Sequence, residues 1–357
     1  MRLRASALRL LDELGLARQF DELPHRLIDS ARMQVPGVPI DIDFGRIPGA
    51  HKHVALVPQW DFLEMLAAAA EAEPSFRLLR SSEVVGLIRQ KDRVVLSRRR
   101  RQTHEMRAAL TVACDCRSST LRAATGLVPH GFGAPMDVWW FRVPRRTDDP
   151  PGLAGVLGTG PATITIDRGD YCQIAYVIPK GSDTEMRAQG IDALHRKLVT
   201  MVPWLADRVD ASKSFDDVKL LDVQLNRLRR WYCDGLLCIG DATHAMSPVG
   251  GVGINLAVAD AVAAARILAG PLRTGRPSRW QLARVQVRRW IPTAILQALQ
   301  RMIHAKVIAA AVADEVVDDK PSSRLQRVAR TPLLRRLAGY LVAIGPLSER
   351  APKYARR

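Results

Sequence analysis

A chain of 357 residues with 47% apolar and 25% charged side chains has the composition of a folded globular protein, long enough for two domains or one large α/β unit. Its net charge of +17 is spread through every segment, and its 5% aromatic residues are not interleaved with basic ones as a base-stacking platform requires. This argues against specific nucleic-acid binding and leaves peripheral contact with an anionic membrane open.

Five cysteines (Cys114, Cys116, Cys172, Cys233 and Cys238) form no CxxC pair, so neither a metal site nor a disulfide framework is expected, and a reducing cytoplasm fits. Neither a signal-peptide pattern nor a run of about 18 apolar residues occurs.

In chain order, Leu3, Ala7, Leu10, Leu11 and Leu14 recur at helical spacing and Gly15 supplies a stop, which predicts an opening amphipathic helix. Residues 33–58, rich in proline and glycine, read as a winding connection with extended pieces. Helical periodicity returns over 59–72. Three β-rich runs follow at 83–88, 93–97 and 109–114, the last leading into "DCRSSTLR". From Met136 the pattern changes to "DVWWFRV", "ATITID" and "YCQIAYVIP", with a hairpin connection at Arg168-Gly169; this predicts an antiparallel sheet. Residues 186–209 read as helical and 218–225 as a strand. Past Gly270-Pro271 the chain reads as helical and basic to its end.

The densest signal is "GDATHAMSPVGGVGIN", residues 240–255, between the apolar run "GLLCI" and the alanine-rich "LAVADAVAAARIL". The run fits a buried strand, Gly240 frees the backbone to turn, and Asp241 stands at the strand's C-terminal end, the edge where open α/β sheets bind ligands. Gly250, Gly251 and Gly253 permit close backbone approach, and the following helix start offers unpaired N–H groups and a partial positive charge. The Gly-Lys-Ser/Thr ending of a triphosphate loop is missing, and "GVGINL" lacks the third glycine of GxGxxG. Hydroxyls plus a delocalised anion suit this turn better than a triphosphate.

With Asp, Pro, paired Gly, Gly-x-Asn and Asp-Ala in step, the stretch resembles the GD motif of the class A flavoprotein monooxygenases, the para-hydroxybenzoate hydroxylase family. "CDCRSSTLR" (114–122) resembles that family's second signature, and "VPQWDFLEML" (57–66) its segment bearing a flavin-contacting glutamine. The likeness runs from about residue 1 to 310.

The resemblance implies that Gly240 and Asp241 hold the ribityl chain of FAD and that Pro248, Gly250, Gly251 and Gly253 line the isoalloxazine. It implies that Asn255 supports the loop, that Asp115 and Arg117 lie near the pyrophosphate, and that Gln59 reaches the flavin. It further implies a reaction in which NADH or NADPH reduces FAD and molecular oxygen forms a C4a-hydroperoxide. The distal oxygen of that adduct passes to a small, electron-rich aromatic substrate over the antiparallel sheet.

The expected fold is α/β. A Rossmann-like FAD-binding part (1–130 and 220–270) carries an inserted antiparallel substrate domain (131–219) and a helical basic C-terminal region (271–357). The family's N-terminal GxGxxG unit is not found, so that part is expected to be N-terminally truncated. Cys116 stands where the family has glycine, and a positive φ there would cost about 1 kcal/mol.

Two other readings therefore stand: an inactive or weakly FAD-binding remnant, and a basic non-enzymatic protein docking on anionic membrane or nucleic acid. Asp115 with Arg117 and Arg122 also reads as a helix cap with surface charges, and Gln59 equally as an exposed helix start. His244 in the turn reads as structural, and Tyr171, Gln173, Tyr176, Trp139 and Trp140 as strand packing before substrate lining. No residue is assigned a catalytic role.

Overall fold

The computed structural model describes residues 1–35, 38–90, 93–100, 102–156, 162–309 and 339–357. The chain opens on a short strand β1 (Arg2–Leu3) and the helix α1 (Ala5–Glu13), whose face of Ala5, Ala7, Leu8, Leu10 and Leu11 is buried as the periodicity requires. After the short helix α2 (Ala17–Asp21) come β2 (Arg26–Ile28), β3 (Ser30–Val35), β4 (Val38–Asp43) and β5 (Val54–Leu56), then α3 (Gln59–Glu71). Antiparallel pairing gives a three-stranded sheet of order β1-β5-β2.

The segment read as a winding connection therefore contains paired strands. β3 and β4 form an antiparallel hairpin that closes one edge of the main sheet. The alternating "IDIDF" was its signal, masked by the surrounding prolines.

Next come β6 (Glu83–Gln90), β7 (Arg93–Arg100) and β8 (Gln102–Arg107), which pair in sequence as an antiparallel sheet, so Arg98, Arg99 and Arg100 are strand. They are followed by β9 (Thr111–Ala113), the short helix α4 (Thr120–Ala124) and β10 (Pro129–Gly131). The predicted antiparallel strands appear as β11 (Met136–Pro144), β12 (Leu153–Val156), β13 (Thr163–Asp167) and β14 (Tyr171–Pro179). Helices α5 (Asp183–Ala188) and α6 (Ile191–Met201) cover one face, and β15 (Lys219–Leu221) closes the far edge.

The seven-stranded order is β15-β11-β14-β13-β12-β3-β4. On the α6 face Trp139 stacks on Tyr176, both buried, with Leu194 and Leu198 packed over them, so these rings are core.

The last strands are β16 (Asn226–Leu228), β17 (Tyr232–Cys233) and β18 (Leu236–Cys238). β18 runs parallel to β9, which places the turn after residue 238 beside the one after residue 113. Helix α7 (Gly253–Thr274) continues through Pro271. The proline lies in the last turn, and the helix loses a single backbone hydrogen bond. α7 is long and apolar enough to cross a membrane by composition, yet its Asn255 and Asp260 are buried by partners inside the fold. Helix α8 (Arg279–Ile303) starts on a capping box of Ser278 and Gln281 and packs along α7.

Candidate flavin site

The glycine turn is fixed from beneath by a buried carboxylate. Gly240 has φ +60°, its N–H donates to Asp260 Oδ2 at 3.1 Å, and a Cβ there would lie 3.1 Å from that of Ala257. Only glycine allows both the turn and this approach of α7. Asp260 is fully buried; Oδ2 also bonds His244 Nε2 at 2.6 Å, and Oδ1 accepts from Arg289 Nε at 2.9 Å. Burial pushes this carboxyl up most strongly as a single influence, but His244 and Arg289 together outweigh it and hold it below its ordinary range. Arg289 continues at 3.4 Å to the buried Glu349, which also receives Arg288 and Arg266. His244 is thus structural: it ties the turn to α7.

Asp241 stands at the mouth of the turn, and a Cβ on Gly253 would lie 3.9 Å from its Oδ1. The carboxylate therefore faces the start of α7. Burial pushes its pKa up, with Arg117 and His244 acting in the opposite direction. Arg117 itself is exposed and donates to the Asp222 carbonyl at 2.7 Å.

Asp115, across from it, accepts from Ser119 Oγ at 2.5 Å and from Leu121 N–H at 3.1 Å, which is the geometry of a cap on α4. From that helix Arg122 donates to Ala242 O at 3.0 Å and joins the two turns. Cys116 has φ +59° and is exposed, as is Cys114, whereas Cys172, Cys233 and Cys238 are buried.

Asn255 clamps the opening of the chain to the turn. Its Oδ1 accepts from Arg4 N–H at 2.9 Å, and its Nδ2 donates to Arg2 O at 3.0 Å and Gly251 O at 3.2 Å. Gly251, at φ +55°, leaves room for Arg2, whose Nε would stand 3.0 Å from any Cβ there. Gly250 is likewise left-handed at +79°, and Gly251 N–H closes the loop onto Pro248 O at 2.9 Å.

Arg4 is buried and Arg2 half-buried, and among the described residues the enclosed Nε and Nη2 of each have no hydrogen-bond partner. Burial lowers Arg2 to about 10; burial and the neighbouring Arg2 charge lower Arg4 to about 9. Two cations with enclosed spare donors fit an anionic guest, because an unpaired buried charge is otherwise strongly disfavoured. Sequence reasoning missed both; the only available signal was Arg-x-Arg ahead of the first helix.

The outer limb of the turn hangs on α8. Gln300 accepts from Ser247 N–H at 3.2 Å and donates to Ser247 O at 2.9 Å and Val249 O at 2.6 Å, while His304 Nε2 bonds Ser247 Oγ at 2.9 Å. Four of the eight buried α8 residues are polar: Arg289, Thr293, Gln297 and Gln300. Their helical spacing was visible but reads as a solvated face.

Above the turn, Val249 shares an apolar cluster with Trp140 and Ile164 and with the buried Val138, Ala175 and Val177 of the seven-stranded sheet. An apolar surface thus lies between the turn and the sheet. Gln59 is exposed at the start of α3, three residues beyond the end of β5, which pairs with β1.

A family model described as an FAD binding domain matches residues 2–298. The 6-methylpretetramide 4-monooxygenase of Streptomyces rimosus is 30% identical over 338 residues, covering 92% of this chain and 80% of that protein. The protoasukamycin 4-monooxygenase of Streptomyces nodosus subsp. asukaensis is 24% identical over 236 residues, covering 62% of this chain and 57% of that one.

Among solved structures, PqsL of Pseudomonas aeruginosa, a probable FAD-dependent monooxygenase, superposes with a TM-score of 0.74 at 18% identity, over 89% of this chain and 88% of the other. OxyS, the anhydrotetracycline hydroxylase of Streptomyces rimosus, gives 0.73 at 21% identity, over 99% and 68%. These two likenesses establish the fold.

Proposed function

Because this chain belongs to the FAD-binding domain family of flavoprotein monooxygenases, we propose that it is an NAD(P)H-consuming oxygenase that hydroxylates a small aromatic molecule between the glycine turn and the seven-stranded sheet. The observation that carries this reading is the Arg2 guanidinium, which has donors to spare against Gly251 of a turn shaped for close backbone approach, with the Arg4 guanidinium nearby at Gly345. FAD, once bound and reduced, supplies the electrons that activate oxygen.

The chain's own residues bind and orient. Asp241 would accept hydrogen bonds from hydroxyls of the ribityl chain, which offset the cost of burial that raises its pKa. The start of α7, with Gly253 and Asn255 in its first turn, offers N–H groups and partial positive charge to the electron-rich edge of the ring. Pro248, Gly250 and Gly251 form the backbone floor, and Arg2 and Arg4 neutralise negative charge on the cofactor. Gly240 and Asp115 support the site from behind, through Asp260 and α4, while Arg117 and Gln59 stand at its rim.

Trp140, Ile164 and Val249 exclude water on the substrate side, where an aromatic ring fits better than a polar chain. The substrate class is supported by the relative whose name gives 6-methylpretetramide. We assign the cofactor part to residues 1–130 and 220–270, from which β3 and β4 join the substrate sheet, the substrate part to 131–219 and the C-terminal region, helical through α8, to 271–357, working in the cytoplasm.

Titration of the purified chain with FAD, followed by flavin fluorescence quenching and by NADH or NADPH oxidation in air, tests the reading. Saturable quenching that is lost in Asp241→Ala is expected. A chain that takes up no FAD would leave the remnant reading in its place.

A further inference from the structure

Helix α8 buries Leu282, Val285 and Leu296 and yet leaves a second apolar face in water. Its buried side carries the polar residues that hold the turn, and its solvent side carries Trp280, Val287, Ile291, Ile295 and Met302, of which Trp280 is 74% and Val287 67% exposed. At about 100° per residue these five fall within an arc of about 80°. The stripe runs along the helix, broken by the exposed Arg284, and ends at an open groove that Phe132, Ala298, Arg301 and Met302 line. Scattered exposed apolar residues need no explanation, but a stripe of this length on a single face does.

The charge around the stripe selects its partner. Between Asp260 and Asp314 the sequence holds no acidic residue but eight arginines and one lysine. Arg279 is paired with Asp234 and Arg288 with Glu349 at the flanks of α8. Arg284 lies within the arc of the stripe and, among the described residues, has no ion-pair partner; Arg276 in the preceding turn is exposed in the same way.

Two copies meeting on this face would bring together two acid-free, arginine-bearing surfaces on chains of net charge +17. A negatively charged lipid surface meets the same face with attraction. An exposed tryptophan at one end, aliphatic residues along the middle and long arginines among and ahead of them, whose stems lie along apolar surface while their heads reach phosphates, form the pattern of a helix that lies in the headgroup region of a bilayer.

We propose that α8 docks this protein on an anionic membrane surface, with Trp280, Val287 and Ile291 inserted among the headgroups and Arg284 and Arg276 on lipid phosphates. Docking there leaves the turn-facing side of the same helix in place. A flavoprotein so placed meets apolar aromatic substrates where they concentrate.

The test is co-sedimentation of the full chain with vesicles of phosphatidylglycerol and phosphatidylcholine in equal parts, against vesicles of phosphatidylcholine alone. Binding to the first should exceed binding to the second by at least about tenfold and fall steeply with salt. Trp280→Ser with Val287→Ser and Ile291→Ser should lower it by about tenfold or more, with an unchanged melting temperature. Arg284→Glu, at an exposed position, should lower it by about tenfold and leave fewer released counterions in its salt dependence.

Equal binding to both kinds of vesicle would overturn the proposal. So would full binding by both folded variants, or a dimer in sedimentation velocity that the triple variant dissolves, since the face would then be a contact between copies.

Discussion

Replacing Asp260 by alanine removes one side chain and strands three donors at once: Gly240 N–H, His244 Nε2 and Arg289 Nε, all buried. Arg289 is left with Glu349 alone, at 3.4 Å, for its charge. Breaking one side of a buried ion pair costs about 3–5 kcal/mol, because the remaining charge stays out of water. Unfolding entropy of about 2.1 cal/mol/K per residue gives roughly 0.75 kcal/mol/K for a chain of 357 residues, so the melting temperature should fall by about 4–7 °C.

Calorimetry of the parent, Asp260→Ala, Arg289→Met and the double variant measures the effect as a cycle, in which the pair should couple by at least about 1 kcal/mol. The carboxyl is held below its ordinary range, so its contribution is present above the unfolded-state pKa and lost as pH falls through the folded one. The gap between parent and variant should therefore narrow in acid. A loss below about 1 kcal/mol with no coupling would refute the reasoning, since a solvated network behaves that way.

Asp241 has the opposite sign: burial raises its pKa, so the stability it contributes when protonated is lost as pH rises through the folded value. Asp241→Asn should melt above the parent at neutral pH, match it in acid and bind FAD at least about tenfold more weakly, a loss of about 1.4 kcal/mol, by fluorescence titration. Arg4→Met should raise the melting temperature without cofactor, because a partnerless buried guanidinium is removed, and weaken FAD binding in the same titration. At Cys116, held at φ +59°, glycine should change stability by less than about 0.5 kcal/mol, since relief of left-handed strain offsets the extra freedom of the unfolded chain. Valine there should cost more than about 1 kcal/mol in denaturant unfolding.

Much of the local structure was legible from side-chain spacing alone. The period of α1, the alternation of β11 and β14 and the glycine turn with Asp241 are short-range patterns, and each element formed where its pattern stands. The GD motif was readable because it packs a turn, a carboxylate and a helix start into sixteen consecutive residues, 240–255.

What tertiary structure decided lies at long range. Asn255 meets Arg2 and Arg4 across some 250 positions, and nothing local to "MRLR" shows that its guanidinium groups are enclosed. Asp115 could cap a helix or face a phosphate by sequence; Ser119 and Leu121 take both its oxygens. Periodicity shows that α8 has two faces but not which one the core needs. The core took the face that mixes Leu282, Val285 and Leu296 with Arg289, Gln297 and Gln300, because Ser247, Val249 and Asp260 required partners that apolar side chains could not supply.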